Sequence, residues 1–496
     1  MNSIAEIFSD SNRLFSSISN FFDRYIGAPL LRKCGIKKLV DDIKSSNEGE
    51  YCDNPILRLI GKKDSSKVLE RIVRAKDLLV DKLMLCYHPE SAHRMFKAGT
   101  FFKNYKKDTF YRFDRMSSAN WERLQLETAR NVILDIENRT KKDHVNVLIF
   151  DDSLYMRTSG KGTELCARVF DHNDRKTRLG FRMMTGVWSN SETTVPFAQA
   201  LLSTRDEKQM IGTDDQSIDR RTLRWKRRNL AKTKGTEVMR QMVNTARQGG
   251  IPFDYVLFDT WFSSPAQLID LKKMDVRVIA MIKKSSTKYI WTDPDTNEAK
   301  KLDVKEIYSR NKKRRGRSKY LLSVPITINS NDGSIPAKLV YARNRNNRKD
   351  WVCFICTEPG LDEEAIIRTY TIRWNIELYF KVCKSYLKLR TECHSTSYDA
   401  LTSHMVIVAI RYMVLAIERF NGTDDRTIED IFYQIQRDIV NEMMTCNIVI
   451  ALDALLDSVR ICFGASEEKI NELVRIFIEK LPMQWKMRFM RQSESL

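Results

Sequence analysis

The sequence predicts a mixed α/β protein (α+β overall) in which a central, strand-containing core is flanked by helical regions at both ends. Helical periodicity dominates residues 1–140, and short apolar runs bounded by turn residues begin near residue 143. Strand-like and helix-like segments alternate to about residue 285, and helical segments fill residues 396–496. The chain has 496 residues, 42% of them hydrophobic, which is enough for a large core and two or three domains.

The charge balance favours a nucleic-acid partner. The formal net charge is +20, and a protein this basic most often binds nucleic acid, with an anionic membrane surface as the rival partner. The basic residues are densest in two runs, and neither run has the pattern of an amphipathic helix lying on a membrane. The most apolar long run, residues 405–417, is interrupted by Arg411 and is shorter than a membrane span, so we expect a buried helix there.

The N-terminus and the cysteines favour a cytoplasmic protein. The first residues lack a basic segment followed by an apolar core, so we expect no signal peptide. Ten cysteines without such a signal are typical of reduced thiols. Cys353 and Cys356 are conceivable zinc ligands, but in a strand they would point to opposite faces, which disfavours a zinc site.

The N-terminal region is predicted to be helical and to contact DNA. Residues 65–85 and 121–138 have helical periodicity. Between them, basic and aromatic side chains are interleaved, a mixture that suits contact with DNA but also occurs on ordinary basic helices. These residues are Lys97, Phe101, Phe102, Lys103, Tyr105, Lys106, Lys107, Phe110 and Tyr111.

The central region has the element order of an RNase H-like domain, which is three antiparallel strands followed by alternating helices and strands. The strand at residues 145–150 leads directly into Asp151, and the strand at residues 253–258 leads directly into Asp259. An aspartate at a strand end is most often a turn or helix cap, so neither residue is diagnostic alone. The other predicted elements are strands at 164–170, 178–188 and 276–282, and helices at 195–202, 234–249 and 265–274.

A β-rich insertion is predicted before the last part of the core, because strand-like runs occur at residues 320–328, 337–343 and 351–356. Its basic run includes Arg314, Arg315 and Arg317, which we expect to contact phosphates. A second basic run, residues 220–228, is predicted to lie in a flexible polar loop. We therefore expect a helical region at 1–140, the core at 141–285 and 360–395, the insertion at 286–359, and a helical region at 396–496.

The segment from Tyr370 to Lys384 is predicted to be one amphipathic helix. At about 100° per residue, Tyr370, Arg373, Glu377 and Lys384 share one face. Two cations and a phenol beside one carboxylate suit a bound polyanion, although a solvated charged face has a similar pattern. The opposite, apolar face consists of Ile372, Ile376, Tyr379, Phe380, Cys383 and Leu387.

The spacing Tyr-x-x-Arg-x-x-x-Glu-x-x-x-x-x-x-Lys resembles the YREK signature of the IS-four family of bacterial insertion-sequence transposases. The resemblance implies that Glu377 is the last acid of an Asp-Asp-Glu triad whose other members are Asp151 and Asp259. LIFDDS and VLFDTWFSS are similar to the two aspartate blocks of that family. Asp152 is the rival of Asp151, which we prefer because Ser153 then lies two residues after the aspartate.

The resemblance also implies an activity, which is a cut-and-paste DNA transposase that nicks transposon ends, forms and opens hairpins, and joins the ends to target DNA. Two Mg²⁺ (or Mn²⁺) ions per site would be held by Asp151, Asp259 and Glu377. The implied partners are double-stranded DNA and a second copy of the chain in a synaptic homodimer, in a bacterial cytoplasm and with no membrane. The DNA-binding candidates are Tyr370, Arg373, Lys381, Lys384, Trp351, Arg314, Arg315 and Arg317.

Trp351 is a candidate stacking platform for a flipped base, because it lies in a strand-like run 26 residues before Glu377. A core tryptophan is an equally good interpretation of this residue. Two alternative functions stay open, a nuclease or recombinase on the same fold that does not transpose, and a non-catalytic DNA-binding derivative. The presence of all three acids argues against the non-catalytic derivative.

Overall fold

The computed structural model describes most of the chain as helices and strands around one large sheet. The residues described are 16–36, 38–42, 70–99, 105–140, 144–171, 174–312, 320–344, 347, 349–422 and 425–482.

The N-terminal region is mostly helical, as predicted, but it also contains a small two-stranded antiparallel sheet. The helix predicted at 65–85 is helical only from Ala75, because Glu70–Val73 is a strand and residues 65–69 lie outside the described residues. In chain order the elements are α1 (Ser16–Phe21), a π-helical turn (Phe22–Ile26), α2 (Gly27–Lys33), β1 (Leu39–Asp42), β2 (Glu70–Val73), α3 (Ala75–Met84), a 3-10 turn (Leu85–Tyr87), α4 (Ala92–Ala98), α5 (Lys107–Asp114) and α6 (Trp121–Arg139).

The central region contains three helices and six strands, and the six strands belong to an eleven-stranded sheet. They are β3 (Val147–Met156), β4 (Ala167–Asp171), β5 (Lys176–Ser189), β6 (Thr194–Leu202), α7 (Leu223–Ala231), α8 (Gly235–Gln248), β7 (Tyr255–Phe258), α9 (Pro265–Lys273) and β8 (Val278–Ile282). The strands β6, β5, β3, β7 and β8 are adjacent in that order, β5 is antiparallel to β3 and β6, and β3, β7 and β8 are parallel. The predicted RNase H-like order is therefore present.

Residues 195–202 lie in β6, the fourth strand of the core in chain order, so the helix predicted there is wrong. Nearly every residue of β6 is buried, with no alternation between an inner and an outer face. The strand lies against α6, where the Gln125 side chain donates a hydrogen bond to the Pro196 carbonyl (3.1 Å). A strand covered on both sides has a continuous apolar run, and periodicity cannot distinguish such a run from a buried helix.

The strands of the insertion extend the same sheet. They are β9 (Tyr289–Thr292), β10 (Ala299–Leu302), β11 (Tyr320–Ser330), β12 (Gly333–Arg343) and β13 (Trp351–Cys356), with helix α10 (Val304–Asn311) between β10 and β11. β13 pairs antiparallel with the core strand β8, and β12, β11, β9 and β10 follow outward in that order. The insertion is β-rich as predicted, and hydrogen bonds make its strands continuous with those of the core.

The predicted helix at residues 370–384 is two helices, α11 (Glu363–Thr371) and α12 (Trp374–Ser385). Between them, the amides of Ile372, Arg373 and Asn375 each donate to the carbonyl three residues earlier (3.0–3.1 Å). The Thr371 hydroxyl donates to the Arg368 carbonyl (2.6 Å), a local bond that bends helices. The break leaves Tyr370 on α11 and places Glu377 and Lys384 on α12.

The C-terminal region consists of three helices, α13 (Tyr398–Asn421), α14 (Ile428–Phe463) and α15 (Glu467–Lys480). Within the described part of the chain, α13 is the one helix long and apolar enough to cross a membrane, and its most apolar window is entirely buried in the protein. Arg411 in α13 is fully buried and donates to the carbonyls of Leu83 (3.2 Å) and Leu387 (3.0 Å) and to Glu392 (2.8 Å). This guanidinium joins the N-terminal region to the segment that follows α12.

The basic run 220–228 is not a flexible loop, because its second half forms α7. Arg227 and Arg228 are buried, and each contacts the Asp399 carboxylate, at 2.5 Å and 3.0 Å respectively. Glu122 pairs with Arg227 and Glu164 pairs with Arg228, both at 2.6 Å. These two arginines are therefore structural, and the prediction of a mobile basic loop is wrong for them.

Replacing Asp399 by Asn should destabilise the protein strongly, because two buried guanidiniums would lose a shared counter-charge. Removing one partner of a buried ion pair costs about 3–5 kcal/mol. Urea unfolding followed by circular dichroism measures the change. Glu472→Gln is the matched control, since Glu472 pairs with Arg475 on an exposed helix face (2.6 Å) and its loss should change the transition little. Equal effects of the two substitutions would show that the Asp399 cluster is not a stabilising unit.

Candidate active site

Asp151 and Asp259 lie side by side on neighbouring parallel strands. Phe150 in β3 is paired with Phe258 in β7. Asp151 directly follows Phe150, and Asp259 directly follows Phe258. Neighbouring strands lie about 4.8 Å apart, which places the two carboxylates at one position along the sheet. Asp259 accepts a hydrogen bond from the backbone amide of Trp261 (2.9 Å), and Asp151 accepts one from the amide of Asp152 (2.8 Å). Both carboxylates are thus oriented by the local backbone.

Glu377 is brought to this position by the docking of α12 on the sheet. The Asn375 side chain donates to the Ser189 hydroxyl (3.0 Å) and the Ser191 carbonyl (3.1 Å) at the end of β5. Gln199 in β6 donates to the Tyr379 hydroxyl (2.7 Å). The predicted apolar face of α12 is buried, including Ile376, Tyr379, Phe380 and Cys383. These contacts hold the first turn of α12, which carries Glu377, near β3.

Arg373 lies between two of the acids. Its Nη1 atom is 3.2 Å from Asp151 Oδ2 and 3.5 Å from Glu377 Oε1. The Arg373 and Asp151 side chains are each 13% exposed, whereas that of Glu377 is 40% exposed. A guanidinium between two carboxylates offsets their repulsion, so Arg373 is the counter-ion of the site in this structure.

The three acids interact electrostatically. Burial, together with the charges of Asp259 and Glu377, raises the pKa of Asp151 to about 7, and the Arg373 guanidinium opposes this increase. A carboxyl whose pKa is raised by neighbouring carboxylates is characteristic of functional sites.

The donor atoms suit a divalent cation, although a closed coordination shell is not formed. Carboxylate oxygens are the ligands that Mg²⁺ and Mn²⁺ prefer, and the mutual repulsion of three carboxylates is relieved by a cation. Within the described residues, no three carboxylate, imidazole or thiol side chains are gathered closely enough to hold an ion together. Asp151, Asp259 and Glu377 therefore fit the ion by chemistry, with Arg373 providing the positive charge among them.

Asp152, the rival of Asp151, points to the other face of β3, because side chains alternate along a strand. Its Oδ2 atom is 3.1 Å from Arg182 Nη1 on the paired strand β5. Asp151 instead contacts Arg373 (3.2 Å), which also contacts Glu377 (3.5 Å). This geometry favours Asp151 as the site residue.

The predicted DNA-binding residues differ in their accessibility. Lys381 is exposed, and Lys384 is half-buried with its pKa lowered by burial and by Arg390. Tyr370 is only 7% exposed, and its ring packs against Phe354 (4.8 Å between centroids). In this conformation Tyr370 supports Arg373, whose guanidinium carbon is 5.9 Å from the tyrosine ring, and does not face solvent.

Trp351 makes extensive contacts within the protein. Its ring stacks on Tyr308 (4.9 Å between centroids), meets Tyr341 edge-on (5.1 Å), and has Lys284 Nζ 4.3 Å from its centroid. The residue is partly exposed. The three insertion arginines Arg314, Arg315 and Arg317 lie outside the described residues.

Sequence reasoning assigned no role to three residues at the edge of the site, Trp261, Arg182 and Lys283. Trp261 is 49% exposed and follows Asp259 by two residues. Lys283 Nζ is 3.6 Å and Arg182 Cζ is 5.9 Å from its ring centroid. The sequence signal that could have identified Trp261 was its position in VLFDTWFSS, two residues after Asp259.

A family model described as "DDE superfamily endonuclease" matches residues 70–320, about half of the chain. Together with the RNase H-like strand order, the match defines an enzyme of the nuclease or transposase type. The chain belongs to the DDE superfamily of endonucleases. The matched range contains Asp151 and Asp259 and ends before Glu377. A comparison with curated proteins finds no significant match.

Replacing Asp151 by Asn should stabilise the metal-free protein at alkaline pH. An unfolded Asp has a pKa of about 3.9, and the folded value is about 7. Between these values the native state keeps its proton and the unfolded state releases it, so stability is lost as the pH rises from about 4 to about 7 and levels off above that. The free energy of unfolding of the variant, relative to that of the wild type, should increase by on the order of 2 kcal/mol between pH 5 and pH 8.

Urea unfolding in EDTA at the two pH values measures this difference. Asp152→Asn is the control, because it removes a charge of the same sign one residue away but breaks a pair with Arg182. The control should give no alkaline stabilisation. If Asp151→Asn is not stabilised at pH 8, the three carboxylates do not repel one another in the native state.

Proposed function

We propose that the protein is a cut-and-paste DNA transposase that uses Asp151, Asp259 and Glu377 for metal-dependent cleavage and joining of DNA. The observation that carries this proposal is the arrangement of the three acids. Asp151 and Asp259 follow paired residues of two neighbouring parallel strands, and Arg373 contacts both Asp151 and Glu377 on the docked helix α12. Membership of the DDE endonuclease superfamily supports a DNA substrate. The YREK spacing of Tyr370, Arg373, Glu377 and Lys384 supports the finer assignment to the IS-four family.

The three carboxylates would hold Mg²⁺ or Mn²⁺, two ions per site, and such ions activate an oxygen nucleophile and shield the charge on phosphorus. Arg373 neutralises the acids when DNA is absent and would contact a phosphate when DNA is bound. Lys384 and the exposed Lys381 extend this positive surface along α12. In the proposed reaction, water first nicks the element end, and the freed 3′-hydroxyl then forms a hairpin, which is opened before the end is joined to target DNA.

The proposed partner within the synaptic complex is a second copy of the chain. Support comes from the C-terminal helices, where Leu455, Ile461, Phe463 and Leu473 are exposed apolar side chains. Ile461 is 83% and Phe463 is 81% exposed. Apolar exposure of this kind is typical of protein contact surfaces. The proposed location is the bacterial cytoplasm, at the DNA.

Replacing the carboxylate of either Asp259 or Glu377 by an amide should abolish nicking while leaving binding to DNA largely intact. The substitutions Asp259→Asn and Glu377→Gln keep the side-chain size and remove one oxygen ligand each. The substrate is a duplex taken from the DNA that flanks the reading frame, and nicks are read on a denaturing gel in Mg²⁺. Asp152→Asn is the matched control and should be far milder than Asp151→Asn.

Near wild-type cleavage by either variant would exclude the proposed triad. If Asp152→Asn is the more damaging of the two aspartate variants, the first acid is Asp152. The alternative function, a nuclease on the same fold that does not transpose, would give nicking without joining. An assay that detects covalent transfer of a labelled end into plasmid DNA distinguishes the two functions.

Lys384 should act on DNA through a phosphate. Replacing it by Met should weaken binding to all duplexes and reduce the magnitude of the salt slope by about one contact. Fluorescence anisotropy with a labelled duplex at several salt concentrations measures the slope. Lys273→Met is the control, because Lys273 is exposed at the end of α9 that leads away from Asp259. An unchanged slope for Lys384→Met would show that this lysine does not contact the backbone.

A further inference from the structure

A row of polar side chains crosses the sheet beneath α12. Asp151 in β3 lies opposite Thr185 in β5, and Thr185 lies opposite Gln199 in β6. Residues directly opposite each other point to the same face of a sheet, and their Cβ atoms are about 4.5–5.5 Å apart. Thr185 and Gln199 therefore extend from the first acid into the interior of the protein. We call Asp151, Thr185 and Gln199 the polar row.

Helix α12 contacts both ends of the polar row. At one end, Arg373 is 3.2 Å from Asp151, and at the other, the Gln199 side chain donates to the Tyr379 hydroxyl (2.7 Å). Six helical residues rise about 9 Å, and two strand spacings are about 10 Å. The helix and the row therefore match in length, so the row supports the segment that carries Glu377.

Two neighbouring atoms of the row are buried and unpaired. Thr185 is fully buried and Gln199 is 5% exposed. Among the residues that the structure describes, neither Thr185 Oγ1 nor Gln199 Oε1 has a hydrogen-bond partner. An unpaired polar atom away from water costs free energy, so most buried polar atoms in folded proteins have a partner. Two such atoms side by side, next to an acid of the site, point to a hydrogen-bonding role.

One rotation of the Gln199 amide gives both atoms a partner. Turning the amide by 180° about its last side-chain bond exchanges its oxygen and its nitrogen. The oxygen then accepts a hydrogen bond from the Tyr379 hydroxyl, and the nitrogen donates to Thr185 Oγ1. The hydrogen of the Thr185 hydroxyl is left for the Asp151 carboxylate, because a hydroxyl both donates and accepts whereas an ionised carboxylate only accepts.

We propose that Thr185 and Gln199 are positioning residues of the site, in a hydrogen-bond chain that runs from Tyr379 on α12 through Gln199 and Thr185 to Asp151. The chain orients the Asp151 carboxylate and fixes α12 on the sheet, so it sets how tightly Asp151 and Glu377 hold a divalent cation. This inference rests on the proposed function for the assignment of these two acids as metal ligands.

The first experiment tests the chain without metal, by urea unfolding of the full-length protein in EDTA. Thr185→Val keeps the shape of the side chain and removes its hydroxyl. The midpoint of unfolding should fall, because Gln199 and Asp151 each lose a partner. Thr128→Val is the matched control, since Thr128 in α6 is also fully buried with an unpaired hydroxyl among the described residues. Its midpoint should stay the same or rise, and the same result for Thr185→Val would overturn the chain.

The second experiment measures the binding of Mn²⁺ alone, without DNA, from the electron paramagnetic resonance signal of the free ion. Thr185→Val should weaken the affinity by about 10- to 100-fold, the usual effect of losing a hydrogen bond to a metal ligand. Thr185→Ser should restore most of the affinity because it keeps the hydroxyl, and Thr128→Val should have no effect. If Thr185→Ser binds Mn²⁺ as weakly as Thr185→Val, the residue acts by packing and the positioning role is excluded.

A double-mutant cycle in Mn²⁺ affinity tests whether the effect passes along the chain. Thr185 and Tyr379 lie on opposite sides of Gln199, so Thr185→Val and Tyr379→Phe each interrupt the same chain. The loss in the double variant should be smaller than the product of the two single fold-changes, because the second substitution removes a link that is already broken. A loss equal to that product would overturn the chain.

Asp151→Asn separates the failure of this inference from the failure of the proposed function. If Asp151→Asn weakens Mn²⁺ binding and Thr185→Val does not, the positioning role is refuted and the proposed function stands. If Asp151→Asn binds Mn²⁺ as tightly as the wild type, the proposed function loses its first acid. The urea comparison of Thr185→Val with Thr128→Val then still decides whether the chain exists, since it uses no metal.

Discussion

The repulsion among three carboxylates is the constraint on which the rest of the site depends. Burial, together with the charges of Asp259 and Glu377, raises the pKa of Asp151, and a nearby cation offsets this repulsion. Arg373 supplies that cation from within the chain, at the break between α11 and α12. The Arg373 guanidinium contacts Asp151 on β3 while the apolar face of α12 stays buried.

The other buried arginines hold the framework in place and are not available to DNA. Arg227 and Arg228 are neutralised by Asp399, Glu122 and Glu164, and Arg411 is satisfied by backbone carbonyls and Glu392. A buried guanidinium is stable only when charge and hydrogen bonds are both matched. The number of basic residues alone therefore overstates how many cations a polyanion can reach, since these three arginines are committed to internal clusters.

The parts of the site that sequence predicts are those set by local pattern. The strands before Asp151 and Asp259 are apolar runs that end at an acid, and the buried face of α12 follows helical periodicity at Ile376, Tyr379 and Cys383. β6 could not be recognised, because burial on both faces removes its alternation. The burial of Arg227 and Arg228 could not be predicted either, because their partner Asp399 is about 170 residues away in sequence.

The continuity of the sheet has a mechanical consequence for any DNA that reaches the acids. β13 is hydrogen-bonded along β8, so a ladder of backbone bonds joins the described part of the insertion to the core. Opening a gap between them would break several such bonds at once, and each lost bond costs free energy. This junction therefore resists opening, and a duplex bound across it would have to supply the deformation. Its resistance to bending and unpairing, which varies with base sequence, then becomes part of how a cleavage position is selected.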